Sequence, residues 1–339
     1  MAYTTIDNPE LYFQVKLFTG NGSTQSLTLD GDEDMQPDLL WFKQRDGTGN
    51  HAVFDAVRGT TGSVYRRLIT EGDGAEDTAA NTLTTIGSDG FTVGSDGNIN
   101  GSSDTMVAWC WKESATAGFD IATFTGSGGT QNISHSLSAV PEMIITKSRS
   151  ASGAWYTYHA GVASDAETDF LKLNETEAAA DNASVWNDTA PTTSVFTVGS
   201  AFDNTTTFVA YAFASKQGFS KFGSYTGNGN ADGAFVYTGF APAFVMVKST
   251  ATAEGWIIID NKRKYNVATN FLGNPKGYPL YAQSNAAEAV NTWAATDLLS
   301  NGFKLRVSHG QINDTSNFIY MAFAEAPFVN SNGVPCNAR

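Results

Sequence analysis

The chain has 339 residues, with 34 acidic against 20 basic side chains and a formal net charge of −14. Its length exceeds what one core usually supports and points to two or three domains, while its sign excludes a surface built to neutralise nucleic-acid phosphates. Charged residues make up only 16% and aromatics 12%, and 33 Gly stand against 9 Pro, a balance of turn-rich β-proteins, with no apolar run near the roughly 20 residues of a bilayer span.

The opening residues "MAYTTIDNPELYF" lack a basic segment followed by an apolar one, so no export signal is read and folding in a cytoplasm is expected. Residues 1–12 are read as an N-terminal arm, in which Pro9, Leu11 and Tyr12 either dock the chain on a larger particle or lead into a first strand. From residue 13 one pattern is written three times. A Thr-Gly turn opens each copy, in "LFTGNGST", "TFTGSGGT" and "SYTGNGNA". A Pro-led apolar strand follows and reaches a Lys six residues on: Pro37 and Lys43, Pro141 and Lys147, Pro242 and Lys248. After a polar turn comes an aromatic strand, then a Phe-centred strand at Phe91, Phe196 and Phe303. The closing strands "MVAWCW", "FVAYAF" and "IYMAFA" are aligned on Ala108, Ala210 and Ala322. A period of about 100 residues gives units at 13–114, 115–216 and 217–326, followed by a C-terminal tail at 327–339.

Both faces of the closing strands are apolar. Val107, Trp109 and Trp111 alternate with Ala108 and Cys110, and Val209, Tyr211 and Phe213 with Ala210 and Ala212. The large face is expected to fill a sandwich core, and the small face to let a neighbouring sheet, loop or domain approach. Turn sequences such as "SDG" and "GNG" supply positive φ. No window sustains a helical period; "SDAETDFLKLNETEAAADNASVW" and "LITEGDGAEDTAANTLTTI" read as loops with at most one helical turn. The expected fold is all-β: three tandem β-sandwich, jelly-roll-like domains of about 100 residues each, stacked into an elongated object.

Catalytic signatures are missing: the chain has no G-x-S-x-G elbow, Walker loop, H-E-x-x-H or C-x-x-C. His51, His135, His159 and His309 have no metal-ligand spacing and are read as exposed or half-buried turn histidines. Asp30, Asp32 and Asp34 alternate as in a calcium loop, but Met35 and Trp41 stand where that loop needs Gly and Glu, leaving a solvated acidic turn. Cys110, in a core strand, and Cys336, in the tail, are expected to remain unpaired. No catalytic, cofactor-binding or metal residue is therefore assigned, and no enzyme activity is expected. Lys43, Lys147 and Lys248 are read as surface ends of a buried strand. Function is expected where the copies differ, in the loops after each Lys and the segments before the Phe-centred strands.

The stretches "FTGNGST", "QPDLLWFKQR", "FDAVRG", "SDGFTVGSDGNING", "VAWCWK" and "IYMAFAEAPFVNSNGVPCNAR" together resemble repeat-containing virion structural proteins of tailed bacteriophages, above all those of marine bacteria. The middle copy departs from the pattern, with "YTYHAG" in place of "FDAVRG", whereas the third keeps Asp260 and Arg263 where the first has Asp55 and Arg58. The resemblance implies concanavalin or laminin-G type jelly rolls and a non-enzymatic tail-fibre or appendage adhesin in the virion that contacts the host surface, with glycan as a candidate receptor. A capsid decoration or head-fibre protein is the alternative reading, and a glycan-cleaving depolymerase the second alternative. Other virion proteins are the implied partners and a homotrimer the implied oligomer; neither nucleic acid nor membrane insertion is expected.

Overall fold

A computed structural model describes residues 2–263, 277–289 and 292–336. The chain is 41% strand and 4% helical, in antiparallel sheets. Each copy contributes one main sheet built on a common order of opening, closing, lysine and hairpin strands. In the first copy these are Phe13–Thr19, Thr105–Trp111, Leu39–Gln44 and Ala52–Asp55. In the second they are Phe119–Thr125, Thr207–Phe213, Met143–Ser148 and Tyr156–His159, extended by Asp169–Lys172 and Ala180–Asp181. In the third they are Ser220–Thr226, Asn317–Pro327, Phe240–Ser249 and Ile257–Asp260, extended by Leu280–Tyr281. A small cover sheet holds each Phe-centred strand: Leu27 pairs with Phe91, Ile133 with Phe196 and Val236 with Phe303.

The Thr-Gly turn recurs because the backbone there leaves no room for a side chain. A Cβ on Gly20, Gly126 or Gly227 would come within 2.1, 2.3 or 1.8 Å of a carbonyl oxygen across the turn. In the first and third copies a buried Asn locks that turn. Asn100 Nδ2 donates to Asn21 Oδ1, Ser23 O and Gly94 O, and Asn313 Nδ2 donates to Asn228 Oδ1, Asn230 O and Val307 O. Of the two stretches read as loops, the second-copy one contains two short strands and the helical turn Ala183–Trp186, capped by Asn182; the first-copy one ends in the strand Leu83–Gly87.

The faces of the closing strands are used the other way round from the expectation. Ala108 and Cys110 face the sandwich core within the first copy, against Phe42, Phe54 and Phe91, and Ala210 and Ala212 face Phe196, Phe202 and Trp186 in the second. The small residues make space for rings carried by neighbouring strands. The large face, with Val107, Trp109 and Trp111, joins Val209, Tyr211 and Phe213, and Ile319, Met321 and Phe323, in one core shared by all three copies. At its centre Phe323 stacks on Phe13 at 5.0 Å and meets Trp111 at 5.8 Å and Phe213 at 6.1 Å. The alignment of the closing strands is also corrected: Lys43, Lys147 and Lys248 pair with Val107, Val209 and Ile319. Tyr320 therefore stands where the other copies have Ala108 and Ala210, while Ala322 matches Cys110 and Ala212.

Sheets converging on one core do not make an elongated stack. The accessible surface of 12538 Å² for 36.1 kDa lies below the roughly 13,400 Å² that size scaling gives a compact monomer. The N-terminal arm lies back on the third copy. Ile6 enters the shared core, Tyr3 Oη donates to Gly239 O at 2.8 Å, and Asp7 accepts from the backbone N–H of Ser331 in the C-terminal tail at 2.6 Å.

Candidate functional site

The last residue of each hairpin strand sits at an equivalent place: Asp55 opposite Leu39, His159 opposite Met143 and Asp260 opposite Phe244. From there each side chain reaches the closing strand of the next copy. Asp55 Oδ2 accepts from Tyr211 Oη at 2.7 Å, His159 Nε2 donates to Tyr320 O at 3.1 Å, and Asp260 Oδ2 accepts from Trp109 Nε1 at 3.0 Å. The links run from first to second, second to third and third to first copy, closing a ring.

This explains why the middle copy departs from the "FDAVRG" pattern. Tyr211 and Trp109 carry a side-chain donor and are met by a carboxylate, but Met321, their counterpart in the third copy, carries none. The available partner there is a backbone carbonyl, which requires a donor, and His159 supplies it. Its tautomer is set because Nδ1 accepts from the Gly161 N–H at 3.0 Å.

Each carboxylate is held by the Arg three residues on. Asp55 and Arg58 pair at 2.5 Å with both side chains fully buried, and Asp260 and Arg263 pair at 2.6 Å. The guanidinium groups also donate to Val53 O and Ile258 O, and approach Glu76 and Glu288 at 3.5 Å. These two glutamates, which the sequence did not single out, bond Arg149 at 3.0 Å and Arg45 at 2.6 Å across the same junctions.

The three lysines are not surface ends, contrary to the expectation. All are fully buried; a loop of the preceding copy closes over Lys147 and Lys248, and the turn that follows Lys43 in its own copy takes up its amine. Lys147 Nζ donates to Asp73 O at 3.0 Å and Lys248 Nζ to Thr176 O at 3.2 Å, each also bonding the carbonyl of the residue that follows it; Lys43 Nζ donates to Gln44 O and Gly47 O. Two residues past each Lys, a backbone carbonyl accepts from the neighbouring loop: Arg45 O from Glu288, Arg149 O from Glu76 and Thr250 O from Ala179. Burial lowers each lysine to about 8.

His51 and His159 are also buried, not turn residues in solvent. His51 precedes its hairpin strand, where the other copies have Trp155 and Trp256, whose indole N–H groups donate to Ile69 O and Lys172 O of the preceding copy. His51 Nδ1 instead accepts from Trp41 Nε1 at 2.7 Å, and burial holds its pKa well below the usual value. His135 is half-buried and His309 exposed. Asp30, Asp32 and Asp34 lie exposed, with Asp30 ion-paired to Lys16. Among the described residues no group of three or more His, Cys, Asp or Glu is placed to hold a metal ion, and no helix is long and apolar enough to cross a membrane. Cys110 is buried and Cys336 exposed, and the two are not bonded.

Burial lowers His159 to about 4. Its neutral form stabilises the fold fully above the unfolded value of about 6.5, and that contribution is lost as pH falls towards 4, a loss of about 3 kcal/mol. Glu71, raised to about 7 by burial, acts with the opposite sign between its unfolded value and 7. Comparison with a variant isolates the histidine. In guanidinium unfolding, the stability gap between wild type and His159→Gln should narrow by about 3 kcal/mol from pH 7 to pH 4; a constant gap would show that the ring is not held neutral.

Phe235 and Tyr237, on the edge strand of the third cover sheet, are 46% and 48% exposed. Nothing in the alternation of "AFVYTG" marked them, since a three-residue edge strand exposes two positions and buries one whatever its function.

No curated protein matches the chain. The model of a domain of unknown function, DUF7483, matches residues 8–327, which includes all three main sheets and their junctions, and the chain belongs to that family.

Proposed function

We propose that the chain is a non-enzymatic virion structural protein of a tailed bacteriophage, serving as a tail-fibre or appendage adhesin that contacts the host surface. The observation that carries this reading is the use made of the motifs through which the sequence resembles such proteins. "FDAVRG" and "QPDLLWFKQR" supply Asp55, Arg58 and Arg45, and these side chains are bonded into the cyclic contacts between copies rather than turned towards a cleft. Buried ion pairs with every partner in place hold geometry. A rigid body whose remaining distinctive groups lie on its surface suits contact more than turnover.

Gold-labelled antibody raised against the purified chain locates it on intact particles. Label at the tail is the expected result. Uniform label on the head would replace this reading with capsid decoration, and particles that never take label would overturn both.

A further inference from the structure

The three copies serve as internal controls for one another, and on the outer face of the cover sheet the third differs from the other two at a pair of exposed positions. Because Leu27, Ile133 and Val236 pair with the three Phe-centred strands in the same register, Phe235 corresponds to Ser26 and Asn132, and Tyr237 to Thr28 and Ser134. All four of those residues are exposed. In the first two copies the outer face is closed by small polar pairs: Ser26 with Thr92 at 3.0 Å and Asn132 with Thr197 at 2.9 Å. The fold thus needs no ring at either position, and the third copy puts one at both.

The rings are set in a polar frame. Lys304 lies directly across from Phe235 and pairs with Asp232 at 2.9 Å. Lys221 donates to Tyr237 O at 2.7 Å and lies over the ring at 5.4 Å, while the Tyr3 hydroxyl meets that of Tyr237 at 3.2 Å. These contacts hold the phenol in one orientation while leaving nearly half of it in solvent. Size decides among occupants. Aromatic side chains offer roughly 150–250 Å² each, so the exposed fractions sum to roughly 200 Å², far below the roughly 800 Å² per partner of a stable protein interface. An apolar patch of that size, rimmed by charged hydrogen-bonding groups, matches a sugar ring, which has one C–H face and a hydroxyl edge.

We infer that the outer face of the third cover sheet is a saccharide-binding platform on which pyranose rings stack against Phe235 and Tyr237. The inference rests on the host-contact reading only for the source of the sugar. The test is saturation-transfer NMR of the full chain with maltotriose, chitotriose and trigalacturonate, the last reporting whether the lysines favour an acidic glycan. Transfer from at least one trisaccharide is expected. Phe235→Asn with Tyr237→Ser, the residues the second copy already carries, should weaken binding by roughly tenfold or more at unchanged thermal stability. No transfer from any of the three sugars, or undiminished binding by the double variant, would overturn it. Sugar binding by a chain whose antibody labels the head would remove the adhesin reading and keep the site, while tail label without sugar binding would do the reverse.

Discussion

Asp55→Ala is expected to cost about 3–5 kcal/mol of unfolding free energy. The loss is large because the change removes one charge and strands another. Arg58 is fully buried beside Asp55, and the Tyr211 hydroxyl, which donates to the same carboxylate from the second copy, loses its acceptor. Buried groups left unpaired pay their full desolvation penalty, whereas removing both partners together is far milder. Asp55→Leu combined with Arg58→Met should therefore recover part of the loss. Guanidinium unfolding at neutral pH measures both variants, and a single-variant cost under about 1 kcal/mol would place the pair among interactions of surface strength. Asp260→Ala should behave alike, since Arg263 and Trp109 depend on it in the same manner.

The first copy expressed alone, as residues 13–114, is expected not to fold as a soluble monomer. Its own sandwich core would be intact, with Phe42, Phe54 and Phe91 against Ala108 and Cys110. Its other face would present Leu39, Trp41, Val53, Val107, Trp109 and Trp111 to water, all of which the whole chain buries in the shared core. At about 1.5–3 kcal/mol for each such side chain, the loss is roughly 9–18 kcal/mol, as large as the whole stability of an ordinary domain. Circular dichroism through a thermal scan, with light scattering, is the measurement. A cooperative transition from a monomer would show that the copies are independent domains whose shared core is dispensable; aggregation or a featureless scan would show that the three fold as one unit.

The threefold repeat, the all-β class and the strand order along each copy are legible in the residues, because periodic turns, Pro–Lys spacing and two-sided apolar strands are local signals. The resemblance brought Asp55 and Arg58, Asp260 and Arg263 and the odd middle copy to notice, and the repeat brought the three lysines, but nothing local marked Glu76 or Glu288. Their use was decided only by the tertiary structure. Whether a buried-strand Lys surfaces or is covered depends on a loop from another copy, about 70 residues away for Lys147 and Asp73, and no local pattern records that approach. The same holds for strand faces: Trp and Ala alternate identically whether the large side meets its own sandwich or its neighbours. His159 is legible only once Met321 is known to lie across from it without a donor, and Phe235 and Tyr237 only once register sets them against Ser26, Thr28, Asn132 and Ser134. Hydrogen-bond complementarity between distant strands is a property of pairs, and a single sequence states the members of each pair without stating the pairing.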